Sequence, residues 1–237
     1  MRRELRRAFE RWGRPRRIRV DNGKPWGSSG DLPPPLALWL IGLGIDVIWN
    51  APRRPQENGV VERSQGTAKR WAEPRACRDP AELQARLDAD DQRQRERYPA
   101  ARGLSRWELF PRLAHSGRPY HEAEEDGAWS LQRARDHLAG LAAPRRVDGQ
   151  GKISIYNRNL YVGVKCAGQR VWVQFDPELG EWLISGDAGQ QLRTHAAPEI
   201  SEESLRGPSL SGRERYPPTS RAAKPYMSEL AAKPTVG

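Results

Sequence analysis

Apolar positions early in the chain follow a helical period. Leu5, Ala8, Phe9 and Trp12 fall at i, i+3, i+4 and i+7, lining one face of an amphipathic helix whose other face is arginine and solvent. Gly13 and Pro15 stop it. The period then changes: "RRIRV" sets Ile18 and Val20 against Arg17 and Arg19, a short strand that ends at Asp21. Beyond a Gly/Ser/Pro loop over 27–35, "LALWLIGL" predicts a compact apolar helix stopped at Gly44, and "IDVIW" a buried strand over 45–49. The loop "NAPRRPQENG" leads to a third helix from about Gly59 to Trp71. Helix, strand, helix, strand, helix is the order of an α/β layer fold, which gathers ligands at the carboxyl ends of its strands.

The remainder reads as accessory modules. Asp79-Pro80-Ala81-Glu82 predicts a capping box opening a charged helix through about Arg97. Residues 98–120 have enough Pro and Gly for an irregular linker around a short helix, with Trp107, Leu109 and Phe110 packing as a small cluster rather than stacking on bases. From Lys152 the period is two: "KISIY", "LYVGV", "RVWVQF", "EWLIS" and "QLRTH" are short strands divided by turn sequences. Five such strands predict an SH3-like small barrel with Val171, Val173 and Phe175 in its core. Its cations Arg158, Lys165 and Arg170 either touch phosphate or are merely solvated. The Pro- and Ser-rich stretch after Pro198 predicts a disordered tail. The expected modules are thus 1–73, 74–147, 148–197 and 198–237.

Composition narrows the chemistry. With 237 residues and 37% hydrophobic content the chain supports a modest core. A net charge of +10 suits a polyanionic partner, with nucleic acid the leading candidate. Only six of the 40 basic residues are Lys, however, and an arginine bias this strong also follows from genome composition. Cys77 and Cys166 stand apart, so neither a disulfide framework nor a zinc ribbon is predicted. With no apolar run of membrane-spanning length and no secretory h-region, the expectation is a soluble cytoplasmic protein without a membrane role. His115, His121, His137 and His195 lack ligand spacing, and "GLGID" lacks the third glycine of a dinucleotide fingerprint. With no phosphate-binding loop and no nucleophile elbow, no small-molecule cofactor is expected.

"VDNGKPW", Val20 to Trp26, admits two readings: Asn-Gly is a strong turn signal, and Asp21 is also a carboxylate at a strand's end. "DNGKPW" followed by "WLIGLGIDVIWNAPRRPQENGVVERSQGTAKRW" resembles the second half of the catalytic core of retroviral-type integrases and insertion-sequence transposases, the DDE superfamily with a ribonuclease-H-like fold. The resemblance covers residues 1 to about 73. It implies that Asp21 and Glu62 are catalytic and hold Mg²⁺ (or Mn²⁺). Pro52, Pro55, Asn58, Gly59 and Arg63 match the surrounding pattern, and Lys69 stands seven residues past the Glu. Seven residues are nearly two helical turns, so Glu62 and Lys69 share a face about 10 Å apart along the axis. Lys69, Asn58, Gly59, Arg63 and Lys24 are the implied DNA contacts, and metal-dependent cleavage and transfer of DNA strands is the implied reaction. The five-stranded barrel is comparable with the C-terminal domain of Mu-type transposases and integrases, which binds DNA or helps assemble protomers. Each residue also has a plainer reading: Asp21 as a turn residue, Glu62 as a favourable charge in a first helical turn, Lys69 as a solvated cation.

The chain departs from the family pattern in two ways. The family core begins with three antiparallel strands, the first of which carries the first catalytic Asp, whereas this sequence starts at the helix after them. The expectation is a truncated, inactive product with open strand edges and an uncovered apolar helix face, associating with itself or with full-length transposase. The 40 residues between Asp21 and Glu62 also make a long interval, with 27–35 as the insertion. DNA, as element ends and target, is the expected partner, and the bacterial nucleoid the expected place. Two alternatives stay open: a non-catalytic DNA-binding, assembly or inhibitor protein derived from a transposase, and a basic RNA-binding protein that works through its barrel.

Overall fold

The computed structural model describes residues 1–27, 31–51 and 59–207, and within it Met1–Gly207 is one compact unit of mixed α/β structure. Helix α1 (Arg2–Trp12) buries Phe9 and half-buries Leu5, Ala8 and Trp12, as its apolar period requires. It ends at Gly13, whose φ of 73° and closeness to the Arg118 carbonyl (2.8 Å from an added Cβ) leave no room for a side chain. Strands β1 (Arg17–Val20) and, after helix α2 (Pro35–Gly42), β2 (Asp46–Trp49) lie side by side in parallel, from Arg17↔Asp46 to Val20↔Trp49. Val20 and Val47 point into the core, while Arg17, Arg19, Asp46 and Ile48 are exposed on the other face.

Helix α2 connects the strands, and none of Ala37, Leu38, Trp39 and Leu40 retains any exposed surface. Its apolar face, expected to be uncovered, is covered by helices from the far end of the chain. These are the helices Leu131–Ala139 and Glu202–Arg206.

Helices α3 (Gly59–Ala72) and α4 (Pro80–Glu96) form a hairpin. Asp79 caps α4 by accepting from the Glu82 amide at 2.8 Å, but the Glu82 carboxylate turns to the Arg78 amide (3.0 Å) and guanidinium (2.8 Å), so only half of the expected capping box forms. These donors hold the Glu82 carboxyl well down, at about 2. A small hairpin of β3 (Pro99–Ala101) and β4 (Leu104–Ser105) leads to the single-turn helix α5 (Arg106–Leu109), where Ser105 and Glu108 form a complete capping box. Of the described side chains in 59–113 only Ala72, Asp90 and Ser105 are buried. The cluster expected around Trp107, Leu109 and Phe110 does not close over: Leu109 is half-buried, but Trp107 is 40% and Phe110 61% exposed.

The segment expected as the end of a linker is instead locked into the N-terminal helices. Glu125, at the start of α6 (Glu125–Ala128), is 2% exposed and accepts two hydrogen bonds from Arg6 of α1, both at 2.8 Å, one from the Trp39 indole of α2 at 3.1 Å and one from the Tyr120 hydroxyl. Burial pushes the Glu125 carboxyl up, but the bonds from Arg6, Tyr120 and Trp39 outweigh it and bring it down to about 2. Burial and this bond in turn raise the Tyr120 hydroxyl above its ordinary range. Helix α7 (Leu131–Ala139), capped by Ser130, packs along α2 through Ala134 and Leu138.

Four of the five predicted C-terminal strands form in place, the second forms at Arg158–Tyr161 instead of 160–164, and they do not close into a barrel. Strand β5 (Ala142–Arg146), placed by its sequence in the linker, is the edge of a four-stranded antiparallel sheet. Strands β6 (Lys152–Ile155) and β7 (Arg158–Tyr161) pair only with each other, and β8 (Arg170–Asp176), β9 (Glu181–Gly186) and β10 (Gln191–Ala196) complete the sheet in the order β10-β9-β8-β5. Because β6 and β7 hydrogen-bond only to each other, no strand links β5 to β10 to close the sheet, and helix α7 packs on β8. Val171, Val173 and Phe175 are buried as expected, with Trp182 beside Phe175 at 5.1 Å between ring centroids. The tail does not begin at Pro198: a turn over Pro198–Ile200 and helix α8 (Glu202–Arg206) bury Ile200 and Leu205, and α8 packs against α2. The expected disordered tail from 208 lies outside the described residues.

The consequence is a single hydrophobic cluster from Phe9 to Leu205, to which the modules expected at 1–73 and 148–197 both contribute. Among the described residues no helix is long and apolar enough to cross a membrane.

Candidate functional site

Because β1 and β2 are parallel and in register, they end together. Asn50 follows β2 with its amide donating to the Val20 carbonyl at 2.9 Å, and the Asn22 side chain reaches across to the Asn50 carbonyl at 2.9 Å. The Trp49 indole donates to the Trp26 carbonyl at 2.9 Å, closing the turn 21–27 down against β2. Asp21 therefore leaves a strand end that is held on three sides of its loop. Its Oδ1 accepts from the Gly23 amide at 3.1 Å, the bond of an Asx turn, and its side chain is exposed. Both sequence readings of Asp21 thus meet in one place. It shapes the turn with one oxygen and stands at the carboxyl edge of a parallel pair.

Glu62 lies in the first turn of α3 and Lys69 in its last, and Arg63 and both of these are exposed. The helix begins at Gly59, where an added Cβ would meet nothing within 4 Å. The low helix-terminal cost of an acid at its start and bases at its end explains their distribution without any ligand. Lys24, in the turn after β1, is exposed as well. Asn58, with Pro52 and Pro55, lies outside the described residues. The strand ends bring Asp21, Asn22 and Asn50 together; α3 packs against α4.

Carboxylate oxygens are the donors that Mg²⁺ and Mn²⁺ take, so Asp21 and Glu62 suit such an ion in kind. They do not suffice in number, because among the described residues no three His, Cys, Asp or Glu side chains gather into a group able to hold a metal.

One feature has no local signal in the sequence. The Asn22 to Asn50 tie joins positions 28 residues apart, and nothing local distinguishes Asn22 from any Asn-Gly turn residue. No protein-family model matches the chain.

Proposed function

We propose that the chain is a DNA transposition or integration protein of the DDE class, with residues 1–73 the second half of a ribonuclease-H-like core. In this reading Asp21 and Glu62 are two of its catalytic carboxylates, and Lys24, Asn58, Gly59, Arg63 and Lys69 contact DNA in the bacterial nucleoid. The observation that carries it is the pair of parallel strands ending together with Asp21 at their carboxyl edge, followed in order by a helix with Glu62 in its first turn. Mg²⁺ or Mn²⁺ would supply Lewis-acid stabilisation and an activated nucleophile, once a further carboxylate from a preceding strand or a second polypeptide completed the site.

The test is Mn²⁺ binding followed by electron paramagnetic resonance, beside DNA binding and plasmid nicking. Asp21→Asn and Glu62→Gln should each weaken Mn²⁺ binding by about tenfold or more while the fold persists. Mn²⁺ affinity indifferent to both substitutions would sink the reading. A non-catalytic DNA-binding or assembly protein is the second reading, favoured by the turn bond that already occupies Asp21.

A further inference from the structure

A cleft of about 310 Å³ opens where the chain leaving α1 meets the segment that leads into α6. Arg14 lines it, together with Tyr120, His121, Glu124 and Gly127 of the later segment. The Arg14 amide donates to the Arg118 carbonyl at 2.7 Å, which fastens the two stretches together. The Tyr120 hydroxyl is already committed to Glu125, so Arg14 is the fixed positive charge of the wall.

Arg14 does not stand alone. Its Nη1 donates to the Leu43 carbonyl at 3.2 Å, Arg118 donates to the carbonyls of Gly44 and Pro15, both at 2.9 Å, and Arg133 donates to the carbonyl of Gly42 and to that of Ala128 at 3.1 Å. Three guanidiniums thus meet on three consecutive carbonyls, Gly42 to Gly44, at the end of α2. A Cβ added at Gly44 would lie 3.3 Å from Arg118 Nη2 and 3.6 Å from Arg133 Nη1, so these two side chains reach one point from different elements. Burial, and then the charges of Arg118 and Arg133, push the Arg14 guanidinium down from its ordinary value. Its Nε is buried without a hydrogen-bond partner.

A helix C-terminus carries about half a negative charge, which accounts for one arginine on its carbonyls but not for three. Elsewhere in the body, arginines are matched by buried or half-buried carboxylates, Arg6 by Glu125 and Arg158 by Glu199. Here each side-chain acceptor is an uncharged carbonyl. Glu124, the carboxylate of the wall, is exposed and pairs with none of the three among the described residues. The surplus positive charge therefore borders a concavity, whose volume lies at the small end of the roughly 300 to 1,000 Å³ usual for ligand pockets. Planar guanidiniums are matched by the paired oxygens of carboxylate and phosphate.

We propose that this cleft binds a small oxyanion, the phosphate or carboxylate group of a compact molecule, with Arg14 as its direct contact and Arg118 and Arg133 supplying the field that attracts it. Neither Asp21 nor Glu62 lines the cleft, so the site stands apart from the carboxylate reading.

The experiment is isothermal titration calorimetry of the full chain with inorganic phosphate and, separately, with citrate, at ionic strength held constant with sodium chloride. At least one of the two should bind saturably, and Arg14→Gln should weaken that binding by about tenfold, the scale of one charge-assisted hydrogen bond. Glu124→Gln removes a repelling charge at an exposed position and should strengthen binding by about twofold to fivefold, an answer that stands even where Arg14→Gln fails to fold. Arg75→Gln, a charge removed from an exposed turn elsewhere, should leave affinity unchanged. Saturation by phosphate with citrate no better than chloride identifies a phosphate-bearing ligand, and the reverse identifies a carboxylate-bearing one. The proposal is overturned by three results: neither anion binds better than chloride, Arg75→Gln costs as much affinity as Arg14→Gln, or Glu124→Gln leaves binding the same or weaker.

Discussion

The arm formed by residues 59–113 and the body that surrounds α2 are built from similar amounts of helix but held by different means. In the body Trp39, Leu40, Leu138, Trp182, Ile184 and Leu205 are each less than 2% exposed and belong to one continuous cluster. In the arm the buried described side chains are Ala72, Asp90 and Ser105, and Val61, Tyr98, Leu104, Trp107, Phe110 and Leu113 stand exposed. What holds the arm is mostly short-range: caps at Asp79 and Ser105, ion pairs such as Arg86 with Glu82, and the Trp71 ring beside Tyr98 and Arg93, with the exposed Arg11–Asp88 pair and Arg95 over the Trp12 ring reaching α1. Caps and exposed pairs each contribute about 1 kcal/mol or less, whereas burying one large apolar side chain contributes about 1.5 to 3. Stability therefore concentrates in the body, and the helix that carries Glu62 and Lys69 sits in the region with least of it. Binding elements are commonly drawn from such regions.

The largest expected effect tests whether the body stands or falls together. Glu125→Ala removes the acceptor shared by Arg6, Trp39 and Tyr120 and leaves the half-buried Arg6 guanidinium with only the exposed Glu122 carboxylate at 3.5 Å, so urea denaturation should show a loss of about 3 kcal/mol. The carboxyl is held at about 2 in the fold against an ordinary 4.5. Its contribution is then present above about pH 4.5 and is lost as pH falls towards 2, so the variant should lose less stability on acidification than the parent. A Glu125→Ala protein as stable as the parent would break the claim that this buried network joins α1 and α2 to the later chain.

Gly42→Ala should cost less, about 1 to 3 kcal/mol. An added Cβ would lie 2.1 Å from the Trp129 indole nitrogen, whose bond to the Trp39 carbonyl at 3.0 Å must then shift. Thermal melting gives the number. The smallest effect is expected in the arm, where Val61→Ser at a 56% exposed position should change stability by no more than about 0.5 kcal/mol. Hydrogen exchange sharpens the contrast without mutation. Amides of α3 should exchange far faster than those of β8 and β9, and equal protection would erase the difference between the two regions.

Local structure was legible wherever the pattern was strong. The strand ending at Asp21, the helix around Leu38 and four of the five strands from Lys152 form where alternation and helical period place them, while the second of the five slips back to Arg158–Tyr161. The misses share a cause. Strand β5 contains Pro144 and two arginines and lacks a strand pattern of its own, and it forms because β8 offers it an edge. Likewise Ile200 and Leu205 sit in a polar, tail-like sequence, yet they find α2 uncovered and fold against it. For the candidate site, the positions of Asp21 and Glu62 at a strand end and a first helical turn could be read in advance. The bonds that fix the strand end could not.

The sequence by itself determined which residues become helix or strand and where most of them stop, since period, caps and turn residues act within a few positions. Tertiary structure alone decided that the N-terminal helices and the later strands share one core and that the sheet stays open. Those outcomes depend on contacts between residues far apart in sequence, where apolar surface left by one segment is covered by whichever other segment fits it, and no local pattern records that choice.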